Sequence, residues 1–382
     1  MPDETLEQRG DSSHARESLR TPLHAVHRDA GATMTPFAGW EMPLRYTSDL
    51  AEHAAVRQRA GLFDLGHMAQ IEVSGPGAAG SLDHGLVTRP SAMTVGRARY
   101  SLLLDARAGI LDDLIVYRLA ETEYLVIANA ANRTTVLDEL TERSDDRTHV
   151  SDRTFSRGLI ALQGPAAPEV LQPLTDANLD DLGYYRAVHA TVADVPVLLA
   201  RTGYTGETGY EISVPAPSAV ALWEALARAG EPDGVLPCGL ACRDTLRLEA
   251  GMPLYGNELT TATTPDDVGL GRVVHIDHDF VGRDAVLAAR RQPGGRRLVG
   301  LAGEGRRAAR AGSTVHDSDG ELGVVTSGVL SPTLGHPIAM ALLGSGADER
   351  AAVGTTLEVE VRGRRQPMTV TELPFYRRPP SR

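Results

Sequence analysis

Between Arg99 and Asn132 the chain strings together three apolar, β-type runs: Tyr100–Leu104, Ile110–Tyr117 and Glu123–Ala128. A short turn carrying Asp and Gly joins the first two, which reads as a hairpin or meander. The middle run holds two adjacent acids, Asp112 and Asp113, set among Ile110, Leu111, Leu114 and Ile115. Successive residues of a strand point to opposite faces, so one carboxylate must enter whatever the second face covers. A carboxylate among apolar groups is costly unless something pairs with it. Two readings follow. Either one acid belongs to a turn while the other caps backbone amides, or one carboxylate waits in a pocket for a cationic or NH-bearing ligand.

The remaining composition fits a globular protein of two or three domains: 382 residues, 42% hydrophobic and 23% charged. A net charge of -12 argues against a general nucleic-acid or anionic-membrane surface. With no secretory apolar segment at the start and no run of 18 apolar residues, a soluble, cytoplasmic protein is expected. Cys238 and Cys242 lie four apart in a helical pattern and lack redox-pair or zinc-knuckle spacing, so a reduced core role is expected.

Residues 1–19 are polar and aperiodic and read as a disordered leader. Residues 20–280 alternate strand pairs with helices, an α+β region of two interleaved subdomains. A helix is expected over 49–60 with Asp49 as its N-cap, and others over 132–143, 217–230 and 240–250. Residues 32–48, dense in aromatics and methionine, read as a loop that packs under a neighbouring domain or walls a ligand site. Basic, Gly-rich stretches at 290–297 and 303–312 read as weakly structured. Across 281–378 short β-like runs separated by Gly or Pro indicate a small C-terminal β-barrel.

No GxGxxG is expected to follow a strand, no GxxxxGK[ST] and no HExxH is present, and no regular βαβ run of Rossmann type is seen. His67 has no second histidine or cysteine at metal spacing, so packing or hydrogen bonding is its expected role and no metal site is predicted. RTGYTGETGYE (201–211) places glycines at 203, 206 and 209. They make either a cluster of turns or a segment narrow enough for backbone to approach a flat ligand. Arg243 and Arg247 are four apart and share a helix face. Arg243 is either a surface residue or a bidentate clamp for a carboxylate.

Taken together, FAGWEMP (37–43), FDLGHM (63–68), GILDDLIVY (109–117), NAAN (129–132), RTGYTGETGYE (201–211), CRDTLRLEAGMPLYG (242–256) and TSGVLSPTLG (326–335) resemble the aminomethyltransferase, or T-protein, family of the glycine cleavage system. The resemblance covers roughly residues 20–378. It implies a folate-binding aminomethyltransferase fold, α+β, with three domains in a clover-leaf arrangement around a central cavity. It also implies tetrahydrofolate as co-substrate and the lipoylated H-protein as partner: the methylene of an aminomethyl-lipoyl group passes to folate and ammonia leaves. Carried over residue by residue, Asp113 is the key carboxylate, with Asn129 and Glu211 against the pterin. Met68, Tyr100, Tyr117, Tyr204 and Arg243 fall at cavity positions, and Tyr376 matches the C-terminal aromatic.

The chain departs from the family at three places. Gly66 stands where SHM is common before His67, Ala108 stands in a usual Gly-Gly pair, and Arg272 stands where many members have Trp. The last would put a charged fork in the cavity wall. Two alternatives stay open: a folate-dependent demethylase of a small methylated donor, and a non-catalytic folate-binding protein.

Overall fold

The three runs of the central meander form the strands Ala98–Leu104, Ile110–Ala120 and Glu123–Ala128, paired antiparallel in chain order. The first turn is closed by Asp105, whose Oδ1 accepts the backbone N–H groups of Arg107 and Gly109, each at 2.8 Å. This is the local competition by which Asp ends a strand. The computed structural model describes residues 18–292, 294–347 and 350–378. Among these, Ala69–Ser74 and then His149–Asp152 extend the meander to a five-stranded sheet. Helices Ala78–Gly85 and Arg133–Glu142 cover one face, burying Ile71, Leu82, Val116, Val126, Val136 and Leu140.

A six-stranded sheet is ordered Ala187–Val192, Val195–Ala200, Gly209–Pro215, Arg157–Gln163, Gly61–Asp64 and Leu236–Pro237. Alternation with period two divides its strands cleanly. Leu62, Ile160 and Leu162 pack with helix Ala219–Gly230, while Phe63, Leu159 and Ala161 meet Leu125 and Ile127 of the first sheet. The two sheets therefore share a core. Cys238 and Cys242 are buried at its edge, unbridged.

The C-terminal strands close a barrel of Arg297–Gly303, Pro337–Leu343, Gly320–Leu330, Thr314–Asp317, Thr356–Val361 and Arg364–Thr371. Closure leaves no open sheet edge, and Leu301, Val315, Ala341 and Leu357 fill the interior.

Several expectations need correction. Residues 32–48 are not a loop: Thr33–Phe37 and Trp40–Arg45 pair as a hairpin. Pro36 and Pro43 mask it in the sequence, but a two-stranded ribbon has an outward edge on both strands, where a missing N–H costs nothing. Its turn residues, Ala38 and Gly39, have φ of 50° and 82°, both left-handed as a tight hairpin turn requires. Ser48, not Asp49, caps helix Asp49–Gln58, its Oγ accepting Ala51 N–H at 3.1 Å. The stretch ahead of residue 290 contains helix Arg283–Arg290, whose Val286 packs with Leu104, Ile110 and Phe280. The leader expected over 1–19 lies, up to residue 17, outside the described residues, and Leu19 already bonds to Gly39 and Glu41 across the hairpin.

Contrary to expectation, a G-x-G-x-x-G spacing, GPGAAG at 75–80, does follow a strand and open a helix, as a dinucleotide-binding loop does. The strand is antiparallel to its neighbours, and a Cβ on Gly77 would lie 2.0 Å from Asp145 Oδ1. The glycine makes room for a carboxylate, not for a phosphate. Among the described residues no helix is long and apolar enough to cross a membrane.

Candidate active site

Where the two sheets, the hairpin and helix Leu240–Glu249 meet, a cavity of about 690 Å³ opens. That size suits a ligand of several fused or linked rings. Leu65, Ile115, Ile127 and Leu159 continue the shared core into its wall, and Phe37 and Ala38 of the hairpin turn stand on another side.

Asp113 lies on this wall; Asp112 does not. Asp113 sits across from Leu102 on the neighbouring strand, and its Oδ2 accepts the Tyr100 hydroxyl at 3.0 Å. Its Oδ1 accepts Asn129 Nδ2 at 2.7 Å. Strand Glu123–Ala128 stops one residue before Asn129, whose φ and ψ of -64° and 139° begin the turn Ala130–Asn132. That turn sends the Asn129 side chain back over the paired strand. Burial pushes the carboxyls of both acids above the usual carboxylate range, and at Asp112 the charge of Asp113 adds to it. The Tyr100 and Asn129 bonds draw Asp113 part of the way back.

Across the cavity stand Glu211, Arg243 and Tyr204. Glu211 is 9% exposed, and its Oε2 accepts Thr202 Oγ1–H at 2.5 Å. Burial raises its carboxyl, while Thr202 and the Arg243 charge oppose that rise. The Arg243 guanidinium lies 4.8 Å from the Tyr204 ring centre, and its buried Nη1 has no hydrogen-bond partner among the described residues. Burial lowers its proton affinity, with Glu211 countering. A desolvated cation with an unmet donor in a cavity wall favours an acceptor-bearing ligand. Tyr204 hydroxyl is tied to the Pro253 carbonyl.

Met68 also lines the cavity, and so does His67, although the sequence offered it only a packing or bonding role. The His67 ring is edge-on to Phe37 with centroids 5.6 Å apart, and its Nδ1 has no partner among the described residues. Burial pushes its imidazole down to about 4, against the charge of Asp64 and with that of Arg243. It is a neutral imidazole at neutral pH.

Two of the expected cavity residues lie elsewhere. Tyr117 is 2% exposed in the core between the sheets, its hydroxyl 3.3 Å from Thr202 Oγ1, one layer behind Glu211. Tyr376 is outside the lining, with the Arg57 guanidinium 4.1 Å from its ring centre and its N–H donating to Glu249 O at 2.8 Å. Arg272 is exposed in the turn Gly271–Val273, and Leu270 takes the wall position instead. The glycines of 201–211 also have another reason. A Cβ on Gly203 or Gly209 would lie 2.0 Å or 2.2 Å from the Gln163 side chain, and Gly206 has φ of 81°. They accommodate Gln163, whose Nε2 donates to Thr202 O at 3.1 Å.

Thr202, Tyr185 and Asn257 were not expected at the site, and Arg247 was noted only for its spacing from Arg243. Tyr185 lines the cavity with φ of 57°, a conformation that costs a bulky residue energy and that clusters at functional sites. Nothing in a lone aromatic letter announces it. Arg247 is 1% exposed and pairs with Glu258 at 3.0 Å while donating to Ser327 of the barrel. Its spacing from Arg243 was the available signal. Among the described residues no group of three or more His, Cys, Asp or Glu side chains is placed to hold a metal ion.

The chain matches the model of the GCVT N-terminal domain over residues 23–278 and that of the glycine cleavage T-protein C-terminal barrel domain over 296–377. The chain belongs to the glycine cleavage T-protein family. An aminomethyltransferase of Streptomyces avermitilis is 56% identical over 367 residues, spanning 94% of this chain and 97% of that one. One from Corynebacterium jeikeium is 47% identical over 386 residues, with coverage of 95% and 99%. The crystal structure of the glycine cleavage system aminomethyltransferase T from Bartonella henselae superposes with a TM-score of 0.87 at 39% identity, covering 94% of this chain and 98% of that one. The α+β region with a C-terminal barrel is thus the T-protein fold.

Proposed function

We propose that this T-protein family member is the tetrahydrofolate-dependent aminomethyltransferase of a cytoplasmic glycine cleavage system. It takes the methylene of an aminomethyl group carried on the lipoyl arm of H-protein, joins it to tetrahydrofolate and releases ammonia. The observation that carries this reading is the cavity itself: two buried carboxylates, Asp113 and Glu211, on apolar walls, with Arg243 beside Glu211. A reduced pterin presents a planar row of N–H donors, for which carboxylates are the matching acceptors. The cationic Arg243 faces the acidic or carbonyl-bearing portion of the folate.

In the net reaction the S–C and C–N bonds of the aminomethyl group break, and the carbon becomes bonded to N5 and N10 of the folate. The two N–H protons of the folate end on the lipoyl sulfur and the departing nitrogen. Asp113 is the group assigned to this proton movement and to stabilising positive charge at the carbon. Tyr100 and Asn129 fix its orientation. Met68, Tyr204 and the hairpin turn supply apolar walls that hold water away from the reacting atoms.

The test is turnover of aminomethylated, lipoylated H-protein with tetrahydrofolate, followed as ammonia release. Asp113→Asn is expected to keep tetrahydrofolate affinity within about threefold while kcat falls about a hundredfold or more. Unchanged turnover in that variant sinks the assignment. Binding of tetrahydrofolate with no turnover by the parent chain points to a binding protein instead. Turnover of an N- or O-methyl donor without H-protein points to a demethylase.

A further inference from the structure

Asp112 is 0% exposed and stands behind the cavity wall, yet it carries more hydrogen bonds than a turn cap needs. Capping the turn accounts for one of them, from Asn129 N–H to Oδ2 at 3.0 Å. In addition Oδ1 accepts two side-chain amides, Asn129 Nδ2 at 2.8 Å and Asn132 Nδ2 at 2.7 Å. Asn129 Nδ2 is the same atom that donates to Asp113 Oδ1 at 2.7 Å. One amide is therefore bracketed by two consecutive carboxylates.

A regular strand would send these two side chains to opposite faces. Asp112 and Asp113 keep that alternation, opposite Leu103 and Leu102, and the register slips just ahead of them, where Ile110 pairs with Leu104 and Leu111 is left over. Such a bulge re-aims side chains locally, and bulges recur beside active sites. On the other side, strand Glu123–Ala128 has ended and its chain turns back through Asn129 and Asn132. The turn thus carries the Asn129 amide to both acids.

We propose that Asp112 is a positioning residue for the reaction: it pins Asn129 and Asn132 and, through the Asn129 amide, fixes the orientation of Asp113. This rests on Asp113 being the catalytic carboxylate. The other groups facing Asp113 are Tyr100, Tyr185, Tyr204 and Tyr255, all phenols held neutral by burial, and Glu258, already paired with Arg247 at 3.0 Å. Asp112 is the nearest acid in sequence and shares the amide. Burial and the charge of Asp113 raise the Asp112 carboxyl further than that of Asp113, so Asp112 keeps its proton when Asp113 ionises and acts on it through the shared amide rather than through a charge.

The experiment compares Asp112→Asn, Asn132→Ala and Asp113→Asn in the full chain, with aminomethylated H-protein and tetrahydrofolate. D112N puts an N–H group where Asn129 and Asn132 donate. Its kcat is expected to fall about tenfold or more, with KM for tetrahydrofolate within about threefold. N132A keeps both carboxylates but loosens the clamp, so kcat falls about threefold or more at unchanged KM. A kcat of D112N within about twofold of the parent overturns the proposal even if the melting temperature drops. If D112N does not fold, N132A with parental kcat overturns it. Turnover retained in D113N removes the catalytic reading of Asp113 itself; turnover lost in D113N but kept in the other two removes only the positioning role.

Discussion

Glu211 meets the cavity with its carboxylate held by a hydroxyl that is itself backed by another: Tyr117 to Thr202 at 3.3 Å, then Thr202 to Glu211 at 2.5 Å. The Thr202 bond opposes the rise that burial imposes on the Glu211 carboxyl. Thr202→Val keeps the shape of the side chain and deletes that donor. Its expected effect is a loss of about 1 to 2 kcal/mol in tetrahydrofolate binding, or roughly tenfold, read by equilibrium titration at neutral pH. Affinity unchanged from the parent would show that Glu211 needs no help from behind. A second residue-scale prediction concerns pH. Burial leaves Asp113 with a raised carboxyl, so its reactive, ionised form is lost as pH falls through a value above the ordinary carboxylate pKa of about 4. The kcat profile of the parent should therefore fall on the acid side nearer neutrality than an exposed aspartate would give. A limb at or below pH about 4 contradicts this.

At the scale of elements, the helix Asp49–Gln58 shows how a cap one residue away from the expected position changes what a mutation does. Ser48 is extended, with φ and ψ of -143° and 143°, and satisfies Ala51 N–H, while Asp49 makes an exposed pair with Arg45 at 3.3 Å. Ser48→Ala is expected to cost about 1 kcal/mol in denaturant unfolding and Asp49→Ala less than about half of that; equal costs would restore Asp49 as the cap. The same element-level physics explains what could be read in advance. The central meander was legible because period-two alternation and an Asp-Gly turn agree with each other, and the barrel because its apolar runs are short and punctuated. The hairpin at 33–45 was hidden by its two prolines, and Gly61–Asp64, buried at all four positions, has no alternation to display. Side chains on short motifs, such as Asp113, Asn129, Glu211 and Arg243, stand on the cavity wall. Tyr117 shares the motif of Asp113 but falls a layer behind, and Tyr376 lies outside the lining, because a matched position fixes place in the chain and not which face a strand or tail presents. Tyr185 depends on a left-handed backbone that tertiary packing imposes, and no local pattern encodes it.

For the whole molecule, the decisive junction is where the barrel meets the cavity-bearing region, and it is built on Glu249 at the end of helix Leu240–Glu249. Its carboxylate accepts His53 Nε2 at 3.0 Å, Arg57 Nη2 at 2.7 Å, Ser331 Oγ at 2.5 Å and Thr333 Oγ1 at 2.7 Å. Helix Asp49–Gln58, helix Leu240–Glu249 and the barrel turn after Leu330 are thereby tied to one buried group, and Arg57 extends the tie to Glu207 at 3.0 Å and to Tyr376. Burial by itself would raise this carboxyl, but the bond and charge of His53, the Ser331 hydroxyl and the Arg57 charge outweigh it and hold it at about 2. The folded pKa is thus depressed from an ordinary 4.5. Such a group stabilises fully above its unfolded pKa and loses that contribution as pH falls toward its folded one, here an effect of about 3 kcal/mol. Glu249→Gln keeps the volume but leaves Arg57 and His53 without their carboxylate, so a cost of about 3 to 5 kcal/mol is expected at pH 7. Acids outside this cluster titrate alike in both proteins, so the difference between them reports on Glu249 and the groups it touches. Urea unfolding of parent and variant from neutral pH down to about 3 should show that difference shrinking below pH about 4.5, the parent losing stability faster than the variant. A difference that stays constant over that range would mean that Glu249 holds the barrel by shape and neutral hydrogen bonds, and that its charge contributes nothing.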